Sequence, residues 1–173
     1  MNATHNITDG TGQSLAPRVV KDTVTAILHA IIFHRYFNNV KPQEQTALGI
    51  TYIAVDSPEV HNQVEEKAQA FAAMFQGEGL REQVDLTLLF QEKRAKKAWF
   101  GKQDDASWEK WVISITPRAV QNEREYQHLK PGFEAQLLES LHTVIRITGE
   151  YKDHIPPITS QSTNPFPFQV CNI

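Results

Sequence analysis

Histidine is the side chain best suited to acid–base work or metal ligation near neutral pH, and this chain has seven, at His5, His29, His34, His61, His128, His142 and His154. Ligating pairs recur at spacings that put both rings on one helical face, as in HxxxH or HExxH. Neither pattern occurs, and His29 and His34 stand five apart, on different sides of any helix that holds both. A structural zinc site needs thiolates, and Cys171 is the only cysteine. Gly77-Glu78-Gly79 has no glycine three residues further on and follows a helical pattern, so it is neither a phosphate loop nor a dinucleotide fingerprint. The carboxylate neighbours Glu65-Glu66 and Asp104-Asp105 read as solvated charge rather than as an acid–base pair. The chain is therefore expected to be no enzyme, with no cofactor and no metal.

A different kind of chemistry is written in 93-KRAKKAWFGKQDDASWEKW-111. Trp99 and Phe100 stand side by side, with four basic residues just before and two acids just after. Such a pair can fold back as a cap on a nearby core, or stand out as a docking knob. Lys96, Lys97, Gly101 and Lys102 crowd it with solvated groups, which favours exposure. Two exposed rings could hide roughly 300–400 Å² on meeting a partner. That is on the order of 7–10 kcal/mol before rigid-body and ordering costs, an upper bound. The remainder suits a recruitment contact of modest affinity with the rings as a hot spot, electrostatically supported by Lys96, Lys97 and Lys102. The alternative is a peripheral membrane-binding module that inserts the tip, a transient membrane contact helped by the flanking lysines.

The elements that would carry this tip follow from periodicity. From Val19 to about Phe37 the chain is apolar nearly all round a helix (Val20, Val24, Ile27, Leu28, Ile31, Ile32), which marks a central helix covered on most sides. His29 inside it reads as a core imidazole with one satisfied hydrogen bond. Lys41-Pro42 opens a polar loop, and 47-ALGITYIAV-55 reads as one strand. Ser57-Pro58-Glu59 starts a helix that buries Val60, Val64, Ala68, Phe71 and Phe75 and is ended by Gly77 and Gly79. Val84, Leu86, Leu88 and Phe90 alternate along one strand, and Trp111, Ile113 and Ile115 along another. About 17 residues join the two, too many for a tight turn, so a projecting ribbon is predicted with Trp99 and Phe100 near its end. A last helix buries Phe133, Leu137, Leu138, Leu141, Val144 and Ile145, and Lys130-Pro131-Gly132 is expected to kink or split it. The closing run 166-FPFQVCNI-173 suits an edge strand because of its prolines.

The chain has 173 residues, 40% of them hydrophobic, which suits one domain with its own core. Residues 1–15 are polar and turn-rich and are read as a mobile N-terminal segment, or at best one weak strand, ahead of a single domain over 16–173. A net charge of −3 gives no pull toward nucleic acid. No apolar run is long enough for a bilayer and the N-terminus has no signal-peptide pattern, so a cytoplasmic location is expected.

In order, ILHAIIFHR, ITYIAVDSPEV, a strand ending in QEKRAKK before Trp-Phe, and WEKWVISI resemble the autophagy-related protein 101 family, over about Val19 to Tyr151. The Trp-Phe tip is the most specific of these elements. The resemblance implies an α+β HORMA fold, a mostly antiparallel sheet packed against about three helices with a protruding β-hairpin. It implies a non-catalytic adaptor of the autophagy-initiation kinase complex that pairs with and stabilises the HORMA domain of autophagy-related protein 13. Trp99 and Phe100 match the finger that recruits downstream autophagy factors, and the implied location is the preautophagosomal structure.

Overall fold

The computed structural model describes residues 3–9, 13–14, 17–37, 41–75, 83–92, 107–116, 118–120, 122–158 and 166–172. Along the chain run β1 (Ala3–Asp9), β2 (Gln13–Ser14), α1 (Pro17–Arg35), β3 (Pro42–Ala47), β4 (Ile50–Val55), α2 (Pro58–Ala73), β5 (Val84–Gln91), β6 (Ser107–Ile115), β7 (Arg118–Ala119), α3 (Glu123–Glu150) and β8 (Phe168–Asn172).

The all-round apolar pattern of α1 has the predicted consequence. Val20, Val24, Ile27, Leu28, Ile31 and Ile32 are fully buried, because α2, α3 and β4 all pack against the helix. Ser57 is the N-cap of α2, extended in backbone, and its hydroxyl accepts the Val60 N–H at 3.4 Å. A cap of this kind contributes about 1 kcal/mol. Val60, Val64, Ala68 and Phe71 face the core, and Phe71 meets the buried Phe75 edge-on at 5.3 Å. The helix ends at Ala73; Gly77 and Gly79 lie outside the described residues.

The main sheet has the order β1-β6-β5-β8. β5 pairs antiparallel with both β6 and β8, and β1 runs parallel to β6. Register opposes Val84 to Ile115, Leu86 to Ile113 and Leu88 to Trp111, so both alternating sets face one core and are buried. β8 lies at the sheet edge, as its prolines suggested. The N-terminal residues contribute β1 and the short β2, which pairs parallel with β7.

Two local readings need correction. Residues 42–55 form a hairpin rather than a polar loop followed by one strand: β3 and β4 pair antiparallel around Leu48-Gly49, both with positive φ (51° and 83°). Two central residues of that hand make the tight turn that matches strand twist. β3 escaped notice because most of its side chains face outward and are polar. Likewise, α3 is neither split nor ended at Lys130-Pro131-Gly132 but runs as one helix of 28 residues with Pro131 inside. Its buried face holds Phe133, Leu137, Leu141, Val144 and Ile147, whereas Leu138 and Ile145 are exposed. Three helices against mostly antiparallel strands give the α+β class, consistent with a HORMA-like fold.

Candidate protein-interaction site

The predicted tip residues Trp99 and Phe100, with Lys96, Lys97 and Lys102, lie outside the described residues. What is described is the root from which their segment leaves. β5 and β6 stay paired up to Gln91 opposite Ser107, with a register irregularity between Phe90 and Gln91. The root is packed with rings: Trp108 lies 5.8 Å from Phe90, 5.0 Å from Phe166 and 5.6 Å from His154 between centroids. Phe90 also meets Phe168 at 6.4 Å. The Gln91 N–H donates to the Pro167 carbonyl at 2.9 Å, tying the approach to β8 onto the end of β5.

Behind the rings lies a buried ion pair that no motif announced. Glu109 is 0% exposed and the Arg35 side chain 2%. Arg35 Nε donates to Glu109 Oε2 at 2.8 Å, Nη1 to the Thr148 carbonyl at 3.3 Å and Nη2 to the Tyr151 carbonyl at 3.1 Å. His154 Nε2 approaches Glu109 Oε1 at 3.3 Å. One guanidinium thus joins the end of α1, the start of β6 and the C-terminal carbonyls of α3, where a cation is favoured by the helix dipole. The signal was available: Glu109 shares the inward register of Trp111, Ile113 and Ile115, and a carboxylate on that face needs a partner.

A second surface lies on α3. Pro131, Ala135, Leu138, His142, Ile145 and Gly149 recur at helical spacing and all are exposed. Leu138 is 41% and Ile145 55% accessible, so this stripe is apolar apart from His142. Between the first turn of α1, the β3–β4 turn and the start of α3 lies a cleft of about 850 Å³, lined among others by Arg18, Asp22, Tyr126 and Lys130. Burial raises the Asp22 carboxyl above its ordinary value, against the pull of Arg18 and Lys21.

Among the described residues, His29 and His61 are brought together. His29, fully buried in α1, lies 4.7 Å from the ring of His61 and 6.2 Å from that of Tyr52. The satisfied hydrogen bond expected for His29 is not present: neither ring nitrogen has a partner among the described residues. Burial, with His61 adding, lowers its pKa to about 4. Burial also pushes the Tyr52 phenol up to about 12, helped by Asp22 and Glu65. Among the described residues no three His, Cys, Asp or Glu side chains are placed to hold a metal ion, and no described helix is long and apolar enough to cross a membrane. Cys171 on β8 is a free, partly exposed thiol.

The family described as Autophagy-related protein 101 matches residues 13–162. The protein of that name from Schizosaccharomyces pombe is 30% identical over 160 residues, covering 92% of this chain and 80% of its own length. Its Arabidopsis thaliana counterpart is 24% identical over 171 residues, covering 87% and 79%. The Homo sapiens protein is 20% identical over 164 residues, covering 86% and 74%. The chain belongs to the Autophagy-related protein 101 family of autophagy proteins.

Proposed function

We propose that this chain is a non-catalytic adaptor of the autophagy-initiation kinase complex. It pairs with the HORMA domain of autophagy-related protein 13, stabilises it, and recruits downstream autophagy factors through Trp99 and Phe100 at the preautophagosomal structure. The observation that carries the reading is the family match over residues 13–162. Two structural features support it. The apolar stripe on α3, with Leu138 and Ile145 exposed at helical spacing, offers a face for a partner domain, since contiguous exposed apolar surface marks association sites. The root of the β5–β6 hairpin, with its aromatic packing and the Arg35–Glu109 pair, provides a rigid base for a recruiting segment.

Coexpression with the HORMA domain of autophagy-related protein 13, followed by gel filtration, tests the pairing. Co-elution is expected, lost on Leu138→Glu with Ile145→Glu and kept on Trp99→Ala with Phe100→Ala. No complex with the wild-type chain would overturn the reading. In flotation with anionic vesicles, the adaptor stays in solution with or without the tip substitutions. Flotation that depends on the two rings would instead favour the membrane-inserting alternative.

A further inference from the structure

We infer that Arg35 is a positioning residue for the recruiting segment: through Glu109 it fixes the bend at which the β5–β6 hairpin leaves the domain. The inference rests on the reading of Trp99 and Phe100 as recruiting residues and adds what aims them. The bend is a bulge of one residue. Phe90 faces Glu109 across the ladder and Gln91 faces Ser107, so Trp108 is the one extra residue on β6. Side chains alternate along a regular strand, yet Trp108 and Glu109 are neighbours and both are buried. Trp108 even packs on Phe90, the register partner of Glu109. Such a bulge bends its strand and strengthens the local twist, so it sets the direction of what lies beyond. The Ser107 hydroxyl donates to the Glu109 carbonyl at 3.2 Å and closes the bulge across Trp108. Phe166 and His154 also hold the indole.

Rings can pack at many angles, and the guanidinium supplies the direction they lack. Its plane is fixed by three bonds, to Glu109 Oε2, the Thr148 carbonyl and the Tyr151 carbonyl. These acceptors belong to β6, to the last turn of α3 and to the C-cap of that helix. Arginine only donates and all three oxygens accept, so the bonds have one possible sense. Against apolar groups of the same volume, a buried ion pair adds little net stability. What it adds is orientation: a planar fork fits its acceptors in one arrangement, whereas methyl groups can slide past one another. Glu109 is thereby set against the ends of α1 and α3, and the bulge beside it keeps one shape.

Electron–electron distances between two nitroxide labels on the full chain test this. The labels go on Gln69→Cys, at an exposed position of α2, and on Gln103→Cys, with Cys171→Ser removing the native thiol. The chain with Arg35 and Glu109 intact should give a single narrow distance peak. Arg35→Leu with Glu109→Leu keeps packing and loses orientation. It should replace that peak by a broad spread while its unfolding midpoint stays close to that of the parent. Arg35→Lys, which keeps the charge but has no planar fork, should broaden the peak as well, and it decides the matter if the double variant does not fold. Val144→Ala, which opens a cavity under the buried face of α3, should lower stability and leave the peak narrow. A parent distribution that is already broad, a peak that stays narrow in the double variant or in Arg35→Lys, or widths that merely follow stability would overturn the inference. The distances are read without any recruited factor, so the aim of the hairpin is measured apart from what its two rings recruit.

Discussion

Taking the solution from about pH 7.5 to about pH 5 should cost this fold about 2 kcal/mol through one side chain, His29. The ring is fully buried and its pKa falls from 6.5 to about 4. The unfolded chain takes up a proton near the ordinary histidine value, which the folded chain refuses until far lower pH. Stability is therefore complete above the unfolded value, declines by about 1.4 kcal/mol per pH unit between the two values, and levels off below the folded one. With a urea dependence of about 2 kcal/mol per molar, the unfolding midpoint should drop by about 1 M. Two other groups act on the same titration. His34 is lowered by burial, then by Arg35 and Lys152, and adds in the same direction. Asp22, raised by burial, acts in the opposite sense, since its folded form holds a proton longer. The discriminating variant is His29→Leu, which fills the same apolar site without a titrating group. Its midpoint should move far less than that of the wild type. An equal acid-induced shift in the variant would refute the assignment to His29.

Breaking the buried ion pair from one side, with Arg35→Leu or Glu109→Leu, should cost about 3–5 kcal/mol in chemical unfolding, whereas the double variant should recover most of that. Equal losses in all three would mean that the charges do not act as a pair. Gly132→Ala should stabilise α3 by about 0.5–1 kcal/mol, because a Cβ there meets nothing within 4 Å. Gly49→Ala should destabilise by about 1–2 kcal/mol, since φ is +83° and the added carbon would come 3.2 Å from Glu134 Oε1. Thermal melts decide both, and a stabilised Gly49→Ala would contradict the turn geometry.

Where burial follows from an element's own period, the sequence was legible. α1 is apolar nearly all round and lies at the centre; β5 and β6 alternate and pair in the register their faces require. Legibility failed where the outcome depended on which neighbour covers a face. Leu138 and Ile145 look identical in pattern to Leu137 and Leu141, yet only the latter are covered. β3 faces outward, so its polarity mimics a loop. Pro131 misleads for a related reason: a helix anchored after it by Phe133 and Leu137 can tolerate an interior proline, which costs about 3 kcal/mol or more, when packing exceeds that cost. Of the Arg35–Glu109 pair, the sequence carried half: Glu109 sits in the inward register of Trp111 and Ile113, but its partner lies 74 residues away and has no local mark.

The strand order has a mechanical corollary. β5 and β6 are the two inner strands of the main sheet, flanked by β8 and β1. A tug delivered through the 92–106 connection would draw both inner strands lengthwise past their outer neighbours. Such sliding strains many rungs at once instead of opening them one by one, so the two inner strands resist a pull along their length.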